Sequence, residues 1–588
     1  FSGDDTATDS SMPHPNAIDR MHMDGLKPGT VLYFFIIAFI ILFAGYGLRD
    51  PWPADEPRFV LVAKQMVESG NWLFPHRGQE LYPDKPPVFF WLLSLSYLLI
   101  GSWRWSFLLP SLLAGMLTLW LTFDLGRRLW DRRTGLWAAV AVLVSVQFAY
   151  QFKRAQIDPV LVAMTTASFY LIARHLLFGP NWRLLTGGFF LAGLGVITKG
   201  VGFLPLLSLL PLWIYRRGQF TPMAARRKGD AWRWLLAVLA FFAAIALWLV
   251  PVLYLGLTSD NPEHRLYLDN ILFKQTAERY ANPWHHHEPF WYFAEIIALF
   301  WMPFSLAFFW LLKPWREAFK ARDLKVVLPL LWGVLVVLFF SISSGKRDMY
   351  ILPALPAFAL AAAPFLQDIS QRSGFRRLLL GFVLTLGAVL LGLGAVALSG
   401  KAGFVDKLII ERGLGAEVQW LWWMLLACGG IFLGTGLWAG TRRVLTATAI
   451  SIAALWIGYG MIAHPVLDGS SSASNLMLGA RLKAGPDTEI GLVAWKEQNM
   501  LQARGKTVEF GFLQPPRVQL AHGISWLRQN PQSRRLMVNQ LPDFDCIAFG
   551  GPGTQSLEKA NRRAWWLLEA GALAGCDISA LSVPAPAR

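Results

Sequence analysis

Two adjacent carboxylates follow the first long apolar run of the chain. Residues 31–48 are apolar, and the sequence "DEPRF" then places Asp55 and Glu56 directly before a proline and an arginine. One carboxylate is enough to cap a helix and to complement its dipole, which is the structural explanation of this pair. A second carboxylate is available for chemistry, as a general base or as a group that stabilises developing positive charge.

Aromatic and basic side chains follow on the same polar segment. The sequence "LYPDKPP" places Tyr82, Asp84 and Lys85 among three prolines, which hold the backbone in a stiff, extended conformation. A lysine fixed at a membrane surface is a good partner for a phosphate group. Contact between a snorkelling lysine and lipid headgroups is the alternative.

Four more polar side chains lie at the ends of apolar runs. Asp158 stands before a proline in "IDP", Lys199 ends the apolar "GLGVITK", and Tyr350 belongs to the turn "SGKRDMY" together with Lys346. A structural role accounts for Asp158, as a helix-entry residue, and for Lys199, as a snorkelling side chain, as well as a functional role does. Placing ionisable side chains at or near the membrane surface costs free energy, however, so their number favours a functional site.

The polar segment 257–289 contains Arg265, Arg279 and three consecutive histidines. Consecutive residues do not share one face of a helix or strand, so a metal site here would need carboxylates to complete it. The candidate ligands for a divalent metal are His286, Asp84 and Glu288.

The composition indicates the elements that must position these residues. Of 588 residues, 54% are hydrophobic, and the mean hydropathy of +0.40 excludes a soluble globular protein. A spanning helix needs roughly 20 apolar residues, and by that measure the sequence contains about 13 crossings. The predicted crossings are 31–48, 105–126, 134–151, 159–178, 184–199, 201–216, 234–256, 290–312, 326–343, 350–366, 378–399, 418–440 and 444–463. Residues 88–101 are apolar but short, and are predicted to be interfacial or partly inserted.

The distribution of basic residues predicts the orientation. With the N-terminus inside, the basic loops fall on the cytoplasmic side, where Lys and Arg are enriched. These loops are 127–133, 216–228, 313–325, 371–377 and 441–443. Much of the net charge of +16 is thereby explained by topology, which argues against nucleic-acid binding. The segments 49–87 and 257–289 and the chain after residue 464 are then outside.

The sequence therefore predicts a mainly α-helical, polytopic membrane protein with a C-terminal extracytoplasmic α/β domain. Residues 1–11 resemble a leader left from expression, 12–464 form the membrane domain, and 465–588 form the outer domain. The helix predicted at 57–69 should lie along the membrane interface. Within the outer domain, strands are predicted at 489–495, 507–512, 534–539 and 546–551, and a helix at 521–530. Cys546 and Cys576 form either a disulfide or two free thiols.

Seven short stretches together resemble one known family. "DEPRF", "ESGNWLFPH", "YPDKPP", "IDP", "GVITKG", "HEPFWYF" and "SGKRDMYILP" follow one another over residues 50–360. In this order they resemble the membrane glycosyltransferases that use polyprenyl-phosphate sugars, in particular the lipid A 4-amino-4-deoxy-L-arabinose transferases (ArnT). The resemblance implies the GT-C fold of oligosaccharyl- and protein-mannosyl-transferases.

The resemblance also implies roles for individual residues. The candidate catalytic residues are Asp55, Asp158 and Glu56. The candidates for binding the carrier phosphate or the acceptor are Lys85, Arg58, Tyr82, Tyr350, Lys199, Arg279, Lys346 and Arg265.

The implied reaction transfers aminoarabinose from undecaprenyl phosphate to a lipid A phosphate, with inversion, at the periplasmic face of the bacterial inner membrane. Such a reaction modifies lipopolysaccharide and confers polymyxin resistance. The expected enzyme is a monomer among membrane lipids, needs no nucleotide or redox cofactor, and has at most a divalent metal. A transferase with another acceptor, such as a protein hydroxyl, is the alternative. A lipid flippase is a further alternative, although the sequence shows no paired repeats.

Overall fold

The computed structural model describes residues 26–27, 29–210, 229–272, 287–343, 345–401, 403–557 and 559–582. Helices dominate the described chain as far as Ser471, and a smaller region with a β-sheet follows. The predicted fold class, a mainly helical membrane protein with a C-terminal α/β region, is confirmed. Residues 1–11 and the end of the predicted crossing 201–216 lie outside the described residues.

The described residues of the helical region form twenty α-helices. They are α1 (Thr30–Phe43), α2 (Glu56–Ser69), α3 (Val88–Ile100), α4 (Trp103–Ser106), α5 (Leu109–Leu129), α6 (Arg132–Val144), α7 (Val146–Phe152), α8 (Ile157–Leu177), α9 (Trp182–Lys199), α10 (Ala231–Thr258), α11 (Pro262–Asp269), α12 (Tyr292–Phe300), α13 (Phe308–Ala321), α14 (Leu324–Ile342), α15 (Ala354–Gln371), α16 (Ser373–Leu398), α17 (Gly403–Arg412), α18 (Gln419–Ala439), α19 (Val444–Gly458) and α20 (His464–Ser471). A small hairpin of β1 (His76–Arg77) and β2 (Glu80–Leu81) lies between α2 and α3, and a 3₁₀ turn covers Asp348–Ile351.

The chain is a multi-pass membrane protein. In the described residues, seven helical segments are long and apolar enough to cross a membrane, and counting two bent helix pairs gives up to nine. The predicted crossing 134–151 is the pair α6 and α7, bent by 69°, and the predicted crossing 290–312 falls in a second pair bent by 102°. Since α1 and α3 are apolar but shorter, the total of about 13 crossings stays a prediction.

Burial separates the central helices from the peripheral ones. In the most apolar 18-residue stretch of α8, 78% of the residues are buried inside the protein. In the corresponding stretches of α10 and α16, 22% are buried. The exposed faces of α10 and α16 are apolar, which suits contact with lipid. Where α16 packs on α18, a Cβ atom on Gly429 would come within 2.4 Å of the backbone nitrogen of Leu391. Glycine therefore allows the two backbones to approach closely.

Helix α2 begins and ends where the sequence predicts. Asp55 is its N-cap residue, Pro57 lies in its first turn, and Gly70 closes it with a φ of +70°. Its apolar side chains are buried within the protein: Val60 packs in the core of the bundle, and Leu61 packs with residues of the outer domain. The helix is thus held between the bundle and the outer domain, which the expected interfacial position did not foresee.

The outer domain contains a mixed five-stranded sheet. Helix α21 (Ser474–Ala484) leads into β3 (Glu489–Val493), α22 (Glu497–Leu501), β4 (Thr507–Glu509), α23 (Pro516–Gln529), β5 (Arg534–Asn539), β6 (Thr554–Ser556), β7 (Trp565–Leu568) and α24 (Ile578–Leu581). The strand order is β4-β3-β5-β7-β6, in which β3 pairs in parallel with β4 and β5, and β7 pairs antiparallel with β5 and β6.

Three of the four predicted strands are present, and the fourth is wrong. Residues 546–551 are apolar, but they form turns, in which Gly550 has a φ of +91°. Cys546 instead forms a disulfide with Cys576, which ties this turn to the end of the domain. The short strands β6 and β7 were not predicted.

We expect this disulfide to stabilise the outer domain. It closes a loop of 30 residues, and loss of such a cross-link typically costs about 2–4 kcal/mol of unfolding free energy. Replacing both Cys546 and Cys576 by serine should therefore lower the urea concentration at which a protease cleaves residues 489–582. Cys428→Ala, which removes the buried thiol in α18, is the control. An unchanged urea midpoint in the double variant would contradict the prediction.

Candidate active site

Arg49 and Glu56 form a buried, bidentate ion pair in front of α2. Nη2 of Arg49 donates to Oε1 of Glu56 over 2.8 Å, and Nη1 donates to Oε2. The backbone N–H groups of Trp52 and Ala155 each donate to the same carboxylate over 2.8 Å. Both side chains of the ion pair are at most 2% exposed. Four donors thus occupy the Glu56 carboxylate, and this geometry favours a structural role for a residue predicted to be catalytic.

Asp55, the neighbouring residue, lies between two guanidinium groups. Its Oδ2 accepts a hydrogen bond from Nη2 of Arg347 over 3.3 Å, and its Oδ1 lies 3.7 Å from Nη1 of Arg58. Burial raises the pKa of Asp55, but the charges of Arg347 and Arg58 lower it by more, so the pKa lies below its ordinary value. Asp55 is therefore ionised at neutral pH, and its ion pairs contribute stability that is lost as the pH falls through the lowered pKa.

Asp158, Lys199 and Tyr350 form a second cluster. Nζ of Lys199, at the end of α9, forms an ion pair with Oδ1 of Asp158, in the first turn of α8. The same Nζ lies 4.8 Å from the ring centre of Tyr350. Three separate sequence motifs thereby meet at one place.

The turn that carries Arg347 and Tyr350 joins the two clusters. Its backbone is fixed by the Gln147 side chain, whose Nε2 donates to the carbonyl oxygen of Asp348 over 2.6 Å. Lys346, only 4% exposed, donates from Nζ to the carbonyl oxygen of Glu288 over 2.7 Å. Lys346 therefore anchors the turn to the end of the predicted loop 257–289.

The segment with Tyr82 and Lys85 approaches the cluster of Asp55, Arg58 and Arg347. Tyr82 is 1% exposed, and the Arg58 charge lies close to its hydroxyl group. Burial raises the pKa of Tyr82, so its hydroxyl stays protonated and can donate a hydrogen bond. Asp84 and Lys85 follow on the same segment and are half-buried. Two residues predicted to bind the phosphate, Arg58 and Tyr82, are thus brought together.

The structure gives less about the remaining predicted residues. Arg265 lies on α11 and is exposed, while Arg279 and His286 lie outside the described residues. In the described part of the chain, no group of three His, Cys, Asp or Glu side chains could hold a metal ion. Because His286 is not among these residues, the metal site with Asp84 and Glu288 stays a prediction.

The structure also adds residues that the motifs did not single out. Arg347 stands in a basic turn on the predicted outer side, whereas Lys and Arg are usually enriched in cytoplasmic loops. This unusual position is the feature of the sequence that could have identified Arg347. Glu497, at the start of α22, accepts hydrogen bonds from Nε of Arg58 over 3.0 Å and from Nη1 of Arg77 over 3.4 Å. No motif marks Glu497, because the resemblance ends well before the outer domain.

The arrangement suits the binding of an anion beside an ionised carboxylate. Arg58 and Arg347 provide positive charge, and guanidinium groups match the geometry of phosphate oxygens. Asp55 provides the negative charge that can bind a cationic group or stabilise one that develops. These are the groups that transfer of a sugar from a phosphate would use.

Sequence comparisons find known proteins that are similar to this chain. The family model described as dolichyl-phosphate-mannose-protein mannosyltransferase matches residues 84–254. The undecaprenyl phosphate-α-4-amino-4-deoxy-L-arabinose arabinosyl transferase 1 of Pseudomonas fluorescens is 28% identical over 379 residues, which are 62% of this chain and 61% of that protein. The corresponding transferase 2 of Proteus mirabilis is 26% identical over 410 residues, 68% of this chain and 69% of that protein. The match thus spans less than two thirds of the Pseudomonas relative.

Solved structures agree over nearly the whole chain. The crystal structure of ArnT from Cupriavidus metallidurans bound to undecaprenyl phosphate superposes with a TM-score of 0.70 at 18% identity, covering 95% of this chain and 100% of that one. Its apo form gives a TM-score of 0.68. This chain therefore shares the fold of these two ArnT structures. The resemblance of the sequence motifs to the ArnT family is confirmed by the sequence matches, and the fold agrees with it.

We expect Glu56 to matter for folding rather than for chemistry. Glu56→Gln leaves the Arg49 charge buried without its carboxylate, and breaking a buried ion pair in this way costs about 3–5 kcal/mol. The melting temperature of the purified protein, or its folded yield, should fall sharply. Glu68→Gln is the control, since Glu68 lies on the same helix but its side chain is 61% exposed. A Glu56→Gln protein of normal stability that lacks activity would instead indicate a catalytic role.

Proposed function

We propose that this protein transfers 4-amino-4-deoxy-L-arabinose from undecaprenyl phosphate to a phosphate group of lipid A. The reaction takes place at the periplasmic face of the bacterial inner membrane, and the enzyme acts as a monomer without a nucleotide or redox cofactor. The modified lipid A carries less negative charge, so the activity confers resistance to polymyxin and other cationic peptides. The observation that carries the proposal is the position of Asp55 between Arg58 and Arg347, whose turn also brings Tyr350 to the Lys199 of the Asp158–Lys199 pair.

The donor is supported by the site and by the relatives. The names of the Pseudomonas and Proteus relatives include undecaprenyl phosphate and aminoarabinose, and the Cupriavidus protein was crystallised with undecaprenyl phosphate. In this chain, Arg58, Tyr82 and Lys85 face the carrier phosphate. Each such group, held in place before the reaction, lowers the barrier by about 2–4 kcal/mol as negative charge grows on the leaving phosphate.

The acceptor decides what Asp55 does. A lipid A phosphate is already ionised near neutral pH, so it needs no base to remove a proton. Asp55, which is itself ionised, instead binds the amino group of the sugar or stabilises positive charge at the anomeric carbon. The phosphate oxygen then attacks from the face opposite the leaving group, in a single displacement.

Transfer to a protein hydroxyl is the second candidate. It is favoured by the match of residues 84–254 to the protein mannosyltransferase family. With a hydroxyl acceptor, Asp55 would act as a general base. An assay that offers lipid A, dephosphorylated lipid A and a Ser/Thr-rich peptide in parallel separates the two, because only the first should accept sugar under our proposal.

We expect Asp55→Asn to abolish transfer while leaving the protein folded. Loss of a charge that acts in the transition state should lower kcat by about 100-fold or more. The measurement uses purified protein in nanodiscs with labelled undecaprenyl-phosphate aminoarabinose and lipid A. Asp260→Asn, which changes an exposed carboxylate after α10, should keep kcat within about twofold. Full activity of the Asp55→Asn protein would remove Asp55 from the mechanism.

We also expect inversion at the anomeric carbon. A single displacement places the acceptor on the face opposite the departing phosphate, whereas a covalent intermediate on Asp55 would give retention by two displacements. NMR coupling constants of the anomeric proton in donor and product distinguish the two outcomes. Retention would exclude the single displacement.

A further inference from the structure

The outer domain reaches the candidate active site through one carboxylate. Oε1 of Glu497 lies 3.0 Å from Nε of Arg58 and 3.4 Å from Nη1 of Arg77, and the Glu497 side chain is 7% exposed. Arg77 is fixed from a second direction, because its guanidinium carbon lies 3.8 Å from the ring centre of Phe512. Glu497 and Phe512 both belong to the outer domain, while Arg58 and Arg77 belong to the segment 49–87.

These contacts form a continuous network of alternating charges. We define the ionic network as Arg77, Glu497, Arg58, Asp55 and Arg347, in the order in which neighbours pair. Glu497 is the partner of Arg58 on the side away from Asp55. The three guanidinium groups exceed the two carboxylates by one positive charge within this set, which leaves the network able to accept an anion.

The contact with Glu497 determines how Arg58 presents its remaining N–H groups. A guanidinium group is planar, so a hydrogen bond at Nε fixes the direction of both terminal nitrogens. With Nε held by Glu497, Nη1 points toward Asp55 at 3.7 Å, which is too long for a strong hydrogen bond. Asp55 therefore makes no short hydrogen bond with Nη1 of Arg58, so this nitrogen can still donate to a phosphate oxygen, and Glu497 draws the arginine away from a closer pairing with Asp55.

We infer that Glu497 is a positioning residue for the transfer reaction, through which the outer domain orients Arg58 toward the carrier phosphate. This inference rests on the proposed function for the identity of the phosphate. When Glu497 is neutral, Asp55 is the stronger remaining partner of Arg58. The arginine then moves toward Asp55, and the donor phosphate loses a charged contact.

The chain offers a matched control at the same junction. Glu509 is 3% exposed and accepts a hydrogen bond from the backbone N–H of Gln79 over 2.8 Å, so it also ties the outer domain to the segment 49–87. Its second oxygen accepts from the backbone N–H of Gly511 over 2.6 Å. Glu509 forms none of the ion pairs found among the described residues, so Glu509→Gln weakens the junction without touching the ionic network.

The experiment compares Glu497→Gln with Glu509→Gln in the full-length protein in nanodiscs. We expect Glu497→Gln to lower kcat by about tenfold or more, with a smaller change in the KM of the donor, because the phosphate gains charge mainly in the transition state. Glu509→Gln should change kcat by no more than about twofold, even where both variants lose similar thermal stability. Equal losses in the two variants would show that Glu497 only holds the domains together, and would overturn the inference.

A double-mutant cycle tests whether Glu497 acts through Arg58. In an Arg58→Gln background, the additional change Glu497→Gln should lower kcat by less than about twofold, because the side chain that it positions is already gone. A full additional loss of about tenfold would contradict the inference, since it would mean that Glu497 acts by another route.

Binding of free undecaprenyl phosphate separates this inference from the proposed function. If wild-type protein transfers no aminoarabinose, the proposed function fails, but the affinity for undecaprenyl phosphate still tests the orientation of Arg58. We expect Glu497→Gln to weaken binding by about fivefold and Glu509→Gln to leave it unchanged. Unchanged or tighter binding by Glu497→Gln would overturn the inference, because loss of a negative charge alone should favour an anionic ligand.

Discussion

The buried ion pair of Arg49 and Glu56 holds the candidate active site together. It joins the chain that leaves α1, the first turn of α2, and the turn between α7 and α8, because Arg49 also donates to the carbonyl oxygen of Lys153 over 3.1 Å. A pair that is almost fully buried is costly unless its charges are well satisfied, and the backbone N–H groups of Trp52 and Ala155 complete the hydrogen bonds of the Glu56 carboxylate. Asp55 adjoins Glu56 in the chain, so this rigid neighbour fixes the backbone from which the Asp55 carboxylate meets its two arginines.

Carboxylates also connect the segment 49–87 to the C-terminal part of the chain. Oδ1 of Asp468 accepts hydrogen bonds from the backbone N–H of Asp50 over 2.8 Å and from Nε1 of Trp52 over 3.0 Å. Glu80 accepts from the backbone N–H of Leu513 over 2.9 Å. Together with Leu61, which packs among apolar residues of the outer domain, these contacts make the domain a structural part of the site. A loosely linked domain would lack such specific, buried contacts.

Local features of the fold could be predicted because their causes lie close together in the sequence. Pro57 and Gly70 delimit α2 from within the sequence of the helix and its ends. The orientation that the basic loops indicate stays a prediction. The partners of the site could not be predicted in this way. Arg58 and Glu497 are 439 residues apart, and no spacing rule relates residues that only the tertiary fold brings together. Residues 546–551 were assigned to a strand because they are apolar, whereas the disulfide and a glycine with positive φ make them a turn.

The same distinction applies to Asp158 and Lys199. Each was identified from its own motif, yet only the packing of α8 against α9 shows that they neutralise one another. Lys199 is therefore not a free cation at the membrane surface, which the snorkelling alternative would have made it. Its charge is balanced on one side by Asp158, and its other contact is the ring of Tyr350.

Under the proposed function, the charge balance of the ionic network favours transfer over mere binding. A sugar linked through a phosphodiester carries one negative charge, whereas the phosphate monoester that leaves carries about −1.5 to −2 at neutral pH. One unmatched guanidinium charge therefore interacts more strongly with the departing phosphate than with the intact donor. Interactions that strengthen along the reaction lower the barrier, while those that are equal in both states do not. Since Arg58 and Arg347 are partly exposed, water solvates the excess charge until the donor arrives, so the empty site stays compatible with a stable fold.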